Sequence, residues 1–266
     1  MALTDFAKDY LGRMFPDGYD GIERSDPEFF ERFANFAFDE VINMPLQEGQ
    51  ERMDDRTRFM AYLSVLLGCQ GLEQFRILLP ASLNMGLTPV EVREIVYQAV
   101  AYLGLGRVRP FIDAMNEVFL ERGIELPLED QATTVYEVPD DGEDLRNRRV
   151  AGTKASVDLF GDFMREAWRM GPEEKRHINY WLNDNCFGDY YTRNGLPLKE
   201  REMITFCFIM AQGGAEPQLQ GHTRGNLSAG NDRLFLIQLV SQCLPFIGYP
   251  RALNALSVID EVAKAQ

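Results

Sequence analysis

Histidine is scarce in this chain: His177 and His222 are the only two in 266 residues. The four cysteines, Cys69, Cys186, Cys207 and Cys243, contain no CxxC pair. Structural zinc needs several closely spaced thiolate or imidazole ligands, so no zinc signature can be assembled and no metal is expected. Scattered single thiols in apolar surroundings read as buried thiols of a reducing compartment. Positive charge is also short. With 27 Lys and Arg against 41 Asp and Glu, the net charge is -14. Such a surface repels phosphate backbones and anionic lipid, so neither nucleic acid nor a membrane is an expected partner. It does not exclude an anionic small substrate, because a pocket's local field can differ from the total. Long apolar runs are missing too. Phe59 to Cys69 is too short to span a bilayer. The N-terminus, Met1-Ala2-Leu3-Thr4-Asp5, is acidic and lacks an apolar signal core. The expectation is a soluble cytoplasmic protein.

Strand signals are weak, and helical periodicity dominates what is there. Hydrophobic residues make up 45% of the chain, enough for one large core or two modest ones. Thr88-Pro89-Val90-Glu91 has the form of a capping box, with Pro at the first helical position. Val92, Ile95, Val96, Ala99 and Val100 then follow at helical spacing. Asn84-Met85-Gly86 reads as the end of the preceding helix. Shifting the chain by 144 residues pairs Gln74 with Gln218, Gly86 with Gly230, Gln98 with Gln242, Tyr102 with Phe246, Gly104 with Gly248 and Arg107 with Arg251. Upstream, Arg58-Phe59-Met60 pairs with Arg201-Glu202-Met203, one residue out of phase. Phe38 to Val41 loosely matches Phe187 to Tyr190. Matches in order, with apolar runs and glycine stops in phase, predict a tandem duplication of one all-α module. The first copy spans 1–126 and the second 145–266. The join at 127–144 carries Pro127, Pro139 and the acidic run Asp140 to Asp144, which favours a solvated linker. The halves are expected to share an interface.

Candidate chemistry concentrates in the second copy. Gly213-Gly214 stops one helix, and Pro217 suits the first turn of the next. On that helix Gln218, His222 and Asn226 stand at i, i+4 and i+8 and form one polar stripe. Gly221 and Gly225 beside it allow close approach of a helix or a ligand. Taken alone, His222 reads as a satisfied core or interface histidine, and Glu202 as a solvated carboxylate near a helix start. The duplication changes this. Their counterparts in the first copy are Leu78 and Phe59, and Asn226 becomes Ser82, so the fold does not require the ionisable pair. Arg193 and Arg251 are candidates for holding a carboxylate by a bidentate fork. Arg251 has a counterpart in Arg107, which leaves a structural role equally open. His177, among Lys175, Arg176 and Asn179, reads as surface. Cys69 reads as an inert thiol, with no resolving cysteine nearby.

At these residues the sequence resembles the carboxymuconolactone decarboxylase family, which includes the AhpD-like alkylhydroperoxidases. The stretches are Arg201 to Ile204, Glu216 to His222, Gly230, Gln242 and Gly248 to Ala255. Met53 to Arg58, Gly86 to Glu91 and Gly104 resemble it more faintly. The resemblance implies an AhpD-like all-α fold and homo-oligomeric assembly, here as a trimer of tandem modules. Peroxidase-type members share Cys-x-x-Cys-x-x-x-His; the stretch Ala215 to His222 keeps only the histidine, and a dithiol cycle needs both thiols. A decarboxylase needs no cofactor. The resemblance implies a small carboxylated lactone as substrate, His222 as the acid/base group and Glu202 as the group that sets its tautomer. Their separation is one residue longer than the family pattern suggests. Gln218, Asn226, Arg193 and Arg251 are the expected substrate contacts. A redox relative and a non-catalytic oligomeric protein are the alternatives.

Overall fold

The computed structural model describes residues 2–18, 21–136 and 143–265. The first half runs α1 (Asp5–Met14), α2 (Pro27–Asn35) with a π-helical continuation Phe36–Glu40, α3 (Asp55–Gly68), α4 (Leu72–Asn84), α5 (Pro89–Leu103) and α6 (Leu105–Glu121). The second half repeats the order: α7 (Arg148–Phe160), α8 (Arg176–Trp181) with a π-helical continuation Leu182–Tyr191, α9 (Leu198–Gln212), α10 (Glu216–Ser228), α11 (Arg233–Ile247) and α12 (Tyr249–Lys264). Short 3-10 segments, Asp162–Arg169 and Glu173–Lys175, fill the α7–α8 connection. Among the described residues the one extended pairing is an isolated bridge between Val135 and Asn147. The all-α tandem reading therefore holds.

Local chemistry explains where the helices begin and end. Thr88 and Glu91 form the expected reciprocal capping box at α5. Thr4, Asp54, Asn147 and Asp232 accept backbone N–H groups at the starts of α1, α3, α7 and α11. Gly104 and Gly248, paired by the 144-residue shift, occupy the same left-handed backbone region at φ 79° and 77° and turn α5 into α6 and α11 into α12.

The two halves are not separate bodies. α3 and α9 are buried nearly all round and pack against each other at the centre. Arg56 in α3 donates to Glu200 in α9 at 2.6 Å, tying their first turns together. At their far ends a Cβ on Gly68 would lie 2.6 Å from the Phe208 carbonyl oxygen, so a side chain there would push the helices apart. α5 packs on α9, and α11 packs on α3, each crossing to the other half. The exchange is reciprocal in detail: Arg58 donates to Gln242 at 2.9 Å and Arg201 to Gln98 at 2.8 Å. A main hydrophobic core spanning both halves results, with a smaller cluster of Ala155, Leu159, Cys186, Phe187 and Tyr191 beside it.

The described part of the join is largely exposed and is pinned to the second half by hydrogen bonds. Asn194 donates its backbone N–H to Gln131, and Thr133 and Thr134 donate to the carbonyls of Thr192 and Gly188. The carbonyls of Gly188 and Thr192, at and just past the end of the π-helical stretch, accept the two threonine hydroxyls. Pro139, Asp140, Asp141 and Gly142 lie outside the described residues. No helix among the described residues is long and apolar enough to cross a membrane.

Candidate functional site

α9 carries Glu202 in its second turn, one residue past the phase of Arg58 in α3, where Phe59 stands. The surface reading of this carboxylate is overturned: Glu202 is fully buried. A buried carboxylate is costly unless paired and hydrogen-bonded, and its partners are specific. His222 in α10 places Nδ1 at 3.1 and 2.9 Å from the two Glu202 carboxylate oxygens. The Tyr191 hydroxyl donates to Glu202 Oε1 at 3.1 Å. Tyr191 then accepts from its other neighbours, Thr205 at 2.7 Å and Tyr102 at 2.9 Å. The Cys186 thiol donates to Tyr102 at 3.5 Å, and the Gln98 amide donates to Thr205 at 2.8 Å. All these donors point toward one acceptor, the Glu202 carboxylate. With an ionised carboxylate at Nδ1, that nitrogen carries the proton, and the neutral imidazole then has its lone pair on Nε2. Nε2 makes no hydrogen bond to a described residue.

Close packing holds the pair. A Cβ on Gly225 would sit 2.9 Å from Glu202 Oε2 and 2.8 Å from a Phe160 ring carbon. Gly221, its partner in the sequence notch, has open space instead. Asn226 donates to the backbone carbonyls of Glu202 at 3.0 Å and His222 at 2.8 Å, and accepts from Asn231 at 2.8 Å. It ties α10 to α9, and its amide is occupied by protein. The imidazole itself is flanked by Tyr102 from the first half and Phe160 from α7, both edge-on, with centroids at 5.4 and 5.7 Å. Phe187, edge-on to Phe160 at 5.9 Å, lines a cleft of about 250 Å³ with Phe163, Trp168 and Leu182. Burial, followed by the Glu202 charge, holds the Tyr191 phenol well above its ordinary range; Tyr102 is raised chiefly by burial. Both act as neutral O–H groups. Burial pushes the Cys186 thiol up to about 12.

The chain matches the carboxymuconolactone decarboxylase family over residues 27–117 and 178–261, together more than half its length. It belongs to that family. The two matched segments fall on the two halves of the fold. Family similarity extends to an uncharacterized 15.0 kDa protein of the nqo9-nqo10 intergenic region of Paracoccus denitrificans, 35% identical over 77 residues, 29% of this chain and 58% of that one. A 4-carboxymuconolactone decarboxylase of Acinetobacter baylyi is 29% identical over 79 residues, 30% of this chain and 58% of the relative. The chain thus covers under two thirds of either relative. A crystal structure from Burkholderia xenovorans, of a candidate gamma-carboxymuconolactone decarboxylase subunit, superposes with a TM-score of 0.54 at 17% identity, covering 98% of this chain and 97% of that one. At that identity the likeness concerns the fold.

Of the sequence-selected residues, the family fold brings together Glu202, His222 and Asn226. Gln218 is exposed on the first turn of α10. Arg193 lies beyond Arg201, donating to Glu94 at 2.9 Å. Arg251 lies against Gly213, with its guanidinium carbon 3.5 Å from where a Cβ would be. Gly213 is about 16 Å along α9 from Glu202 at the helical rise, which sets Arg251 apart from the imidazole, while the Arg193 guanidinium is engaged by Glu94. Tyr191, Tyr102, Thr205 and Phe160 went unselected. In the first half the corresponding place is apolar: Phe59 packs edge-on to Tyr62 at 5.4 Å, Phe246 lies 4.7 Å from Tyr62, and Leu78 is buried.

Proposed function

We propose that this protein is a cofactor-independent decarboxylase, or a closely related enolising lyase or isomerase, acting on a small carboxylated lactone, with His222 as its acid/base group. The observation that carries this reading is the imidazole whose Nδ1 is held by a buried carboxylate while Nε2 makes no hydrogen bond to a described residue. Family membership and the Acinetobacter relative support the substrate class.

In a carboxymuconolactone the departing carboxylate sits on the ring carbon conjugated through the double bond to the lactone carbonyl. Breaking that carbon–carbon bond releases CO2 and leaves its electron pair in a dienolate, with charge on the carbonyl oxygen. Solvent first protonates His222 Nε2, giving an imidazolium whose Nε2–H hydrogen-bonds that oxyanion or is delivered to the ring carbon beside the carbonyl, which returns the ring to its neutral Nδ1–H form. Glu202 fixes the tautomer and steadies the imidazolium before transfer. Tyr191, Tyr102 and Thr205 keep Glu202 in place, and Phe160 and Tyr102 wall the imidazole from water. The raised Cys186 thiol supplies no thiolate at neutral pH, which favours this chemistry over thiol redox.

The test is CO2 release from gamma-carboxymuconolactone by the wild-type chain and by His222→Ala. General acid–base catalysis by one group is worth about 10²- to 10⁴-fold, and a loss of that size is expected. Equal rates for the two proteins would remove His222 from the mechanism. No release by the wild type would remove this substrate class.

A further inference from the structure

We infer a second small-molecule site, for an organic carboxylate, in the cleft between α5, α6 and the strap that follows α6. It is separate from the His222 pair and does not depend on the chemistry proposed there. The cleft holds about 670 Å³ and is lined by Arg93, Arg193, Tyr97 and Asn116 and by apolar side chains including Phe119 and Leu128.

The charge balance there is unusual for a chain of net charge -14. Three guanidiniums converge on one buried carboxylate. Glu94 is fully buried and meets Arg193 at 2.9 Å, Arg201 at 3.1 Å and Arg93 at 3.8 Å. Arg201 is closed off: its remaining donors go to Gln98 and to the carbonyls of Arg193, Asn194 and Leu196. The other two are not. Arg93 donates one Nη to the Glu129 carbonyl at 2.5 Å, and its Nε is buried without a hydrogen bond. Arg193 uses Nε and Nη2 on Glu94. Nη1 of each makes no hydrogen bond to a described residue, and neither does the Asn116 amide. Asp130, the remaining carboxylate of the cleft, is 3.9 Å from Arg193 with its side chain 82% exposed, and such a contact is worth little in water.

Arg93 is 7% and Arg193 13% exposed at the side chain. Guanidiniums this buried, and outnumbering their carboxylates, carry a desolvation cost that a bound anion offsets. The surroundings select the kind of anion. Both guanidiniums lie over the Tyr97 ring, at 5.7 and 5.5 Å from its centroid. Beyond them the walls are apolar. A carboxylate head meets the two free Nη1 groups by charge-assisted bonds, the Asn116 amide adds a third contact, and a planar or aliphatic body covers Phe119 and Leu128. Inorganic phosphate leaves that apolar wall bare.

The experiment is calorimetric titration of the full chain with benzoate, acetate and inorganic phosphate. Benzoate is expected to bind, acetate at least tenfold more weakly, and phosphate not at all. Arg93→Gln should weaken benzoate at least tenfold, while His222→Gln should leave its affinity unchanged. Asn116→Leu, at a half-exposed position, gives the same reading if Arg93→Gln fails to fold. Absence of benzoate binding, binding of phosphate instead, or benzoate affinity that falls with His222→Gln but survives Asn116→Leu would each overturn the assignment. None of these outcomes bears on CO2 release, so this site and the one at His222 stand or fall separately.

Discussion

The Cα of Gly225 in α10 stands so close to Glu202 in α9 that an added methyl group would lie 2.9 Å from Glu202 Oε2. The carboxylate that holds His222 therefore occupies the space a side chain would take on the helix carrying His222. The glycine is what allows a buried charge to reach the histidine across a helix–helix contact.

Substitution separates this glycine from its neighbour. Gly225→Ala must displace Glu202 or Phe160, and overpacking of this kind costs roughly 1–3 kcal/mol. Gly221 has nothing within 4 Å of an added Cβ, so Gly221→Ala should stabilise α10 by about 0.5–1 kcal/mol through helix propensity. Urea midpoints measured side by side check both. A Gly225→Ala protein as stable as the wild type would mean that Glu202 does not sit where the contact places it.

Glu202→Gln retains shape and removes charge. A carboxamide can present its N–H to Nδ1, which reverses the tautomer and leaves the proton on Nε2 of a neutral ring. Under the proposed mechanism the rate of CO2 release should fall about 10²-fold or more. Nitrogen chemical shifts of His222 give a readout that a merely structural role would not move: the wild type should show the Nδ1–H form and the variant the Nε2–H form. Identical tautomers in the two proteins would sink the orienting role.

Glu94 tests the junction of the halves. Glu94→Gln leaves Arg201, wholly buried, without its anionic partner. Breaking a buried pair from one side costs about 3–5 kcal/mol. The expected result is a large drop in the urea midpoint with no separate second transition, because the two halves share one core. A biphasic curve would show that each half melts alone.

Much of the fold was legible because its signals are local. Capping at Thr88, the stop at Gly213 and the Pro217 helix start depend on a few neighbouring residues. The 144-residue shift worked because duplicated helices keep their turns. The site was legible only where the copies differ in charge. Comparing His222 with Leu78 and Glu202 with Phe59 marked both ionisable residues. The same comparison pairs Tyr102 with Phe246, a hydroxyl present in one copy, and that hydroxyl serves the other copy's site through Tyr191. Its role is not legible in the sequence, because the exchange of α5 and α11 between halves leaves no trace in linear spacing. The side-chain chemistry of Arg193 and Arg251 suits a carboxylate, but tertiary packing directs them to Glu94 and Gly213.

Buried phenols and thiols set an alkaline limit on stability. Burial raises Tyr62, Tyr102 and Tyr191 above their ordinary value of 10.0 and moves Cys186 from 9.0 to about 12. Below about pH 8 these groups are protonated in both folded and unfolded chains and contribute no pH dependence. Above it the unfolded chain ionises first while the folded chain holds its protons, so stability falls as pH rises toward the folded values. Each group contributes roughly a tenfold change in the folding equilibrium per pH unit across its own window. Urea midpoints between pH 7 and 10.5 should therefore be flat at first and then decline steeply. Tyr191→Phe removes one of the protons, so its decline should be shallower whatever its starting stability. A variant curve parallel to the wild type across that range would show that Tyr191 ionises as freely in the folded chain as in the unfolded one.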